Sequence, residues 1–206
     1  MGDYHIPLIP GNHYHIFSRA IGSEILFREE ENFRFFLQKM EEHLLPVCRI
    51  WAYCLIPNHF HLLAEIKNEE EIKQAFESAK KDREFVADDA PDFIMERFSN
   101  WLNSYTKAFN KKYSRKGGLF MNYLRRVQIS KDSQLSATIF YIHKNPVHHG
   151  LAKEISVWKW SSYAVHLSKE PTILEKEEVL GWFGNTLEFT KFHNQPIPLK
   201  RLPEIE

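Results

Sequence analysis

Two histidines one residue apart are the most informative residues for chemistry in this chain. His59 and His61 lie in a mostly apolar run that reads as a β-strand, and alternate side chains of a strand point to the same face of its sheet. Two imidazoles on one face can bind a metal ion. A strand inside a core rarely places two polar rings on one face without partners for them. We therefore predict a metal site; the alternative is that one ring bonds a backbone carbonyl and the other lies at a sheet edge.

A second candidate site lies near the end of a predicted helix. Residues 133–144 carry apolar side chains at spacings of three and four, with Ser133 as N-cap and Pro146 as the stop. Tyr141 and Asn145 are four residues apart, which places both on one side of that helix. An amide oxygen can bind a metal ion and a phenol can act as a nucleophile. The alternative is that Tyr141 packs in the core and Asn145 caps the helix.

Together the two segments resemble one family of DNA-acting enzymes. The run WAYCLIPNHFHLL resembles the metal-binding strand of the HUH single-strand DNA transposases, in which His, a hydrophobic residue and His follow one another. The run YIHKNPVHHGLA resembles a segment of their REP-associated tyrosine transposase branch, in which Tyr stands four residues before Asn-Pro. Leu119-Phe120 followed by Arg125, and the run WSSY at 160–163, are similar to connecting segments of that branch. The resemblance covers about residues 13–163.

The resemblance implies a metal-dependent tyrosine transposase and endonuclease, which nicks and rejoins single-stranded, hairpin-associated DNA. It implies that Tyr141 forms a 5′-phosphotyrosine and that His59, His61 and Asn145 bind the metal. Imidazole suits zinc, whereas phosphate oxygens and water suit magnesium or manganese. The resemblance favours Mg²⁺ or Mn²⁺, and it leaves the oligomeric state open between monomer and homodimer.

Two other functions fit the same residues. A ferredoxin-like sheet with aromatic residues can bind RNA or DNA by stacking alone, which needs neither a metal nor Tyr141. A zinc hydrolase would use the histidine pair, but it would need an acidic residue to activate water. The nearest on the same strand face is Glu65, four residues beyond His61.

The net charge of the chain is zero, so DNA contacts must come from charge that is segregated along the sequence. Residues 107–126 hold seven basic residues and no acidic residue. Four aromatic residues are interleaved with them: Phe109, Tyr113, Phe120 and Tyr123. Cations that follow a phosphate backbone and rings that stack on bases are typical of single-strand binding. The predicted DNA-binding residues are Lys107, Lys111, Lys112, Arg115, Lys116, Arg125 and Arg126.

Further histidines are weaker candidates. His13 and His15 form a second His-x-His pair, which we rank below the first because it lacks apolar flanks and a matching motif. His143 is expected to be a DNA-contacting or surface residue. His148 and His149 follow the expected helix end, where they are placed to meet phosphate.

The predicted element order is strand, helix, hairpin, helix, strand, which indicates an α+β fold with a ferredoxin-like (RRM-like) antiparallel sheet and helices packed on it. The predicted strands are 13–20, 47–56, 59–66 and 121–129. The predicted helices are 29–45, 69–81, 94–113 and 133–144, with a loop at 82–92.

With 206 residues, one main domain is expected. We predict an HUH transposase-like catalytic domain over 1–166, and over 167–206 an extension with short helices at 175–183 and 187–192 and a loose Pro-rich end. No apolar run reaches the roughly 18 residues of a membrane span, and no signal peptide is recognised at the start. Two cysteines offer no disulfide framework. We therefore expect a cytoplasmic protein, and the resemblance implies a bacterial-type, nucleoid-associated one.

Overall fold

A four-stranded sheet with helices on both faces forms the body of the protein. The structure is a computed structural model, and it describes residues 6–121 and 124–195. The strands are β1 (His13–Arg19), β2 (Cys48–Ile56), β3 (His59–Ile66) and β4 (Arg125–Ile129). The helices are α1 (Glu30–Leu44), α2 (Glu69–Ala79), α3 (Ala90–Lys112), α4 (Asp132–His148), α5 (Tyr163–Leu167), α6 (Lys176–Phe183) and α7 (Thr186–His193). Single-turn 3₁₀ helices lie at Ala87–Asp89 and Ile155–Val157.

The strand order in the sheet is β2-β3-β1-β4. β1 pairs antiparallel with both β3 and β4, and β2 pairs antiparallel with β3. The hairpin turns at Pro57 and Asn58, so that Ile56 and His59 are partners across it. This strand order, with the observed element order, is that of a ferredoxin-like sheet. The predicted fold class is confirmed.

The two faces of the sheet belong to two different cores. The first core, under α1, α2 and α3, is rich in aromatic side chains; the Phe36 ring lies 4.5 Å from the Trp101 ring and 5.2 Å from the Phe60 ring, between centroids. The second core lies under α4 and the C-terminal helices, and Leu63 of β3 belongs to it. Because side chains alternate along a strand, His59 and His61 share that face with Leu63.

The helix that carries the second motif is longer than predicted. α4 begins at Asp132, so Ser133 is not its N-cap, and it continues through Pro146 to His148. The predicted stop at Pro146 is wrong. Proline lacks only its own N–H, so one helical bond is lost there, while the Asn145 carbonyl still accepts from the His149 N–H at 3.0 Å.

Other boundaries differ in smaller ways. α3 begins at Ala90, inside the predicted loop 82–92, and Pro91 lies in its first turn, where proline is tolerated. β4 begins at Arg125 rather than at 121, and residues 122 and 123 lie outside the described part of the chain.

The helices of the C-terminal extension pack on the rest of the chain. α6 and α7 lie where two short helices were predicted. α7 buries Phe189 completely, and its Phe192 ring meets the Phe140 ring of α4 with 5.8 Å between centroids. The second core is therefore shared between the predicted catalytic domain and its extension. The predicted loose end, from residue 196, lies outside the described residues.

Among the described residues, none of the helices is both long and apolar enough to cross a bilayer.

Candidate active site

The four predicted site residues meet on the α4 face of the sheet. His59 and His61 come from β3, and Tyr141 and Asn145 come from α4. His59 Nε2 lies 3.1 Å from Asn145 Oδ1, and Asn145 Nδ2 lies 3.1 Å from His61 Nε2. His61 and Asn145 are almost fully buried. The packing of α4 against β2 and β3 joins the two motifs, which are far apart in sequence.

The hydrogen bonds of His59 indicate that a cation fits at this point. Its Nδ1 lies 2.9 Å from Asn58 Oδ1, while its Nε2 faces Asn145 Oδ1. Both partners are acceptors, whereas a neutral imidazole has a single N–H. When Nδ1–H donates to Asn58, the Nε2 lone pair points toward the Asn145 side chain, and this nitrogen and the amide oxygen can both be donors to one cation. With the Nε2 of His61, these atoms form a set of three donors that suits a divalent cation and leaves positions open.

The donor that Asn145 adds to the two histidines is an amide oxygen rather than a carboxylate. Within residues 6–121 and 124–195, no group of three or more His, Cys, Asp or Glu side chains is arranged to hold a metal ion. Glu65, which the zinc hydrolase alternative would need, faces Arg49 Nη1 at 3.7 Å and His13 Nε2 at 3.9 Å. These partners lie at the opposite end of β3 from His59, so the geometry does not favour that alternative.

Tyr141 borders the same site. Its ring stands perpendicular to the His61 ring, with 5.4 Å between centroids, and 5.8 Å from the His15 ring. It is 7% exposed, so the phenol lies at the edge of the core rather than on the open surface. The spacing of four from Asn145 places both on the sheet side of α4, as predicted.

His15 is a site residue that we ranked too low. Its ring is fully buried on β1 and stacks on the His61 ring, with His15 Nε2 3.0 Å from His61 Nδ1. The sequence feature that could have indicated His15 is the second His-x-His pair, which lies on β1 beside β3. The other member of that pair, His13, packs instead against Trp51, with 4.6 Å between ring centroids.

Burial controls the charge of these rings. Loss of solvent lowers the pKa of His15 to about 3. Burial also lowers the pKa of His61 well below its ordinary value, and the neighbouring His15, His59 and His149 rings lower it further. Both rings are therefore neutral at neutral pH, and a neutral imidazole is the form that binds a metal ion.

A cavity of about 200 Å³ opens beside the histidine pair. Its lining includes His59, His61, Arg19, Arg125 and His149. The His149 ring lies 4.8 Å from the His59 ring, between centroids. Arg125 and His149 were predicted to meet DNA or phosphate, and both are exposed at this cavity. Arg19 was not predicted; it lies opposite His59 in the β1–β3 pairing.

His143 is not a DNA-contacting or surface residue, so that prediction is wrong. It is fully buried, with Nδ1 2.9 Å from His193 Nε2 and Nε2 2.7 Å from Ser162 Oγ. Two residues along a helix turn the side chain roughly 200° away from Tyr141, toward α5 and α7. α4 is covered on both sides, which its own residue pattern does not reveal.

The basic segment is divided between exposed and ion-paired side chains. Lys107, Lys111, Lys112, Lys116 and Arg125 are exposed. Lys112 Nζ lies 2.9 Å from Glu29 Oε1 and also pairs with Glu31, while Arg115 Nε lies 2.9 Å from Glu24 Oε1. The acidic residues at and before the start of α1 therefore neutralise part of the charge that was predicted to meet DNA.

Arg126 occupies a different environment from the other predicted DNA-binding residues. It is 8% exposed, and its guanidinium donates to the carbonyl oxygens of Ile6 and Leu124. The structure thus gives Arg126 a role within the fold. Contact between DNA and the exposed members of the segment stays a prediction.

The three described aromatic residues of the segment, Phe109, Tyr113 and Phe120, pack within the protein. Phe109 and Phe120 are buried in the first core, so the prediction that they stack on bases is wrong. The Tyr113 hydroxyl bonds Asn32 Oδ1 at 2.9 Å, and the Arg28 guanidinium lies over its ring. Tyr123 lies outside the described residues.

Comparisons with known proteins bear on the identity of this site. Over 137 residues the chain is 27% identical to a "Putative REP-associated tyrosine transposase" of Haemophilus influenzae, a match that covers 65% of this chain and 66% of the relative. The solved structure of a REP-associated tyrosine transposase bound to a REP hairpin matches with a TM-score of 0.61 and 16% identity, over 83% of this chain and 89% of that one. This chain is similar in sequence and in fold to REP-associated tyrosine transposases. No family model matches it.

The resemblance predicted from the motifs is therefore confirmed. The sequence match spans slightly less than two thirds of the curated relative's length. At 16% identity the solved structure bears on the fold. The roles predicted for His59, His61, Tyr141 and Asn145 stay predictions, which the geometry described above supports.

Proposed function

We propose that this chain is a metal-dependent tyrosine transposase and endonuclease, which nicks and rejoins single-stranded, hairpin-associated DNA. The observation that carries the proposal is the meeting of His59, His61 and Asn145 beside the ring of Tyr141. Similarity to a transposase in sequence, and in fold to a transposase bound to a REP hairpin, supports the same class of substrate.

His59, His61 and Asn145 would hold the cation, Mg²⁺ or Mn²⁺. When bound, the cation neutralises charge on a nonbridging phosphate oxygen, which favours attack at phosphorus. Around this point the chain supplies its own positive charge. The exposed guanidinium groups of Arg19 and Arg125 line the cavity and bind the phosphates that flank the scissile one.

Tyr141 is the nucleophile. Its hydroxyl gives its proton to solvent water, a bond forms between Tyr141 Oη and phosphorus, and the bond between phosphorus and the 3′ oxygen breaks. The 3′ oxygen takes a proton from solvent water, which leaves a free 3′-OH and a 5′-phosphotyrosine. The phosphotyrosine is still a phosphodiester, so the 3′-OH of another strand can displace Tyr141 and rejoin the DNA without an external energy source.

Replacement of the nucleophile tests the proposal. Tyr141→Phe keeps the ring that packs beside His61 but removes the attacking oxygen, so nicking is expected to fall by roughly 10³-fold or more. The measurement uses a labelled, hairpin-tipped single-stranded oligonucleotide with Mn²⁺. The covalent adduct is followed on a denaturing gel and located by mass spectrometry of the tyrosine-containing peptide.

Tyr163→Phe is the matched control, since Tyr163 is another buried tyrosine of the second core. It is expected to nick like the wild type. An adduct at full yield in Tyr141→Phe would refute the assignment. If DNA binding is unchanged by a chelator and no substrate is nicked, the chain is instead a non-catalytic single-strand binding module.

A further inference from the structure

We propose that His15 is a positioning residue that selects the tautomer of His61 needed for metal binding. The inference deepens the proposed function and rests on it. His15 belongs to β1, outside both motifs that carry the proposed ligands and nucleophile.

The contact between the two rings is close and excludes solvent. His15 is fully buried and His61 is 1% exposed. His15 Nε2 lies 3.0 Å from His61 Nδ1, and the rings are nearly parallel, with 15° between their planes. Neighbouring strands hold both backbones, so the His15 side chain meets His61 without any loop movement.

The direction of the hydrogen bonds follows from what a bound cation needs. His61 Nε2 faces the Asn145 side chain, with Asn145 Nδ2 at 3.1 Å, so it is the ring nitrogen on the side of the proposed cation and must present its lone pair there. A neutral imidazole has one N–H, so His61 carries its proton on Nδ1 and donates it to His15 Nε2. The Nε2 lone pair of His61 is then the one that would bind the cation.

A hydrogen bond in the opposite direction, from His15 to His61, prevents cation binding at His61. If His15 Nε2–H donated to His61 Nδ1, the proton of the neutral His61 ring would move to Nε2, where a metal needs a lone pair. The orientation of the His15 ring proton therefore decides whether the His61 ring can act as a ligand. Hydrogen bonds to the second nitrogen of a ligand histidine set its tautomer in this way.

The two ligand histidines receive the same support from different residues. His59 Nδ1 has an acceptor in Asn58 Oδ1 at 2.9 Å, and His61 Nδ1 has one in His15 Nε2. In each case an acceptor at Nδ1 leaves Nε2 for the cation. The pairing explains why a fully buried histidine occupies this position on β1.

Three variants test the role of His15 by Mn²⁺ titration calorimetry on the full chain without DNA. His15→Phe keeps an aromatic ring but offers no acceptor, so Mn²⁺ affinity is expected to fall about 10- to 100-fold. His15→Gln offers an amide oxygen to His61 Nδ1–H, so it is expected to stay within about threefold of the wild type. His13→Phe alters the other histidine of the pair, which packs on Trp51, and is expected to bind like the wild type.

The ring ¹⁵N shifts of His61 supply a readout that a loss of packing does not mimic. In the metal-free wild type, His61 is expected to be protonated at Nδ1, and His15→Phe is expected to move population to the Nε2–H form. Circular dichroism checks that each variant folds.

Wild-type Mn²⁺ affinity in His15→Phe, or a wild-type His61 protonated at Nε2, would overturn the inference. Protein that binds Mn²⁺ with this dependence on His15 but never nicks DNA contradicts only the proposed function. Protein that nicks DNA while His15→Phe binds Mn²⁺ normally contradicts only the inference. Wild type that binds no Mn²⁺ overturns both.

Discussion

Two basic residues of the segment 107–126 lie in different environments. Lys111 is exposed on the last turn of α3, whereas Arg126 is almost buried on β4. The Arg126 guanidinium donates to the carbonyl oxygens of Ile6 and Leu124. Both are basic residues of the segment 107–126, and their neighbours separate a structural cation from a candidate DNA contact.

Substitution separates these two roles. Arg126→Met is expected to lower the free energy of unfolding by about 1–3 kcal/mol, because two carbonyl oxygens lose a charged donor. Lys111→Met is expected to leave stability unchanged and to weaken single-stranded DNA binding. The slope of log affinity against log salt then falls by about 0.7 for the lost phosphate contact. Urea denaturation and DNA titration at several salt concentrations measure the two effects; equal loss of stability in both variants contradicts the assignment.

At the level of elements, α4 is held between the sheet and the C-terminal helices. Tyr141 and Asn145 face the histidines of β3, while His143 between them faces α7 and bonds His193. α7 also places Phe189 against the Tyr163 ring, with 5.6 Å between centroids. The helix that carries the proposed nucleophile is therefore supported by the extension.

α7 offers a matched pair of positions for testing that support. Phe189→Ala is expected to lower the free energy of unfolding by about 3–5 kcal/mol, because Phe189 is fully buried in the second core. Leu187→Ala, on the same helix but 61% exposed, is expected to change it by less than about 0.5 kcal/mol. Urea denaturation of each variant measures its change in the free energy of unfolding. If Phe189→Ala unfolds like the wild type, the extension contributes nothing to the stability of the sheet domain.

For the molecule as a whole, neutral histidines buried in the second core and at the site make stability depend on pH. Burial lowers the pKa of His15 to about 3 and the pKa values of His166 and His193 to about 4. In the unfolded chain the pKa of each histidine is about 6.5. Below that pH the unfolded state binds more protons than the folded state, so stability falls as the pH drops.

The expected loss begins near pH 6.5 and continues toward pH 4, at up to about 1.4 kcal/mol per pH unit for each such histidine. Urea midpoints between pH 7.5 and pH 5 measure it. His166→Phe removes one of these groups and is expected to make the dependence shallower. A midpoint that stays constant from pH 7.5 to pH 5 would contradict neutral burial of these rings.

Local spacing by itself determined which side chains share a face. The period of two in β3 pairs His59 with His61, and the helical spacing of four pairs Tyr141 with Asn145. The alternation of predicted elements also indicated the ferredoxin-like sheet, because that topology follows from the order of strands and helices. These features depend on backbone geometry within one element or on element order, so a single sequence contains them.

Only the tertiary structure decided what each face meets. It put His15 against His61 across two strands, buried His143 under α7, and placed Phe109 in the first core rather than on a DNA-binding surface. It also extended α4 past Pro146, since a missing N–H in the last turn removes a single bond there while the packing of the helix remains. Contacts between distant segments depend on how whole elements pack, and residue spacing within one element does not encode that.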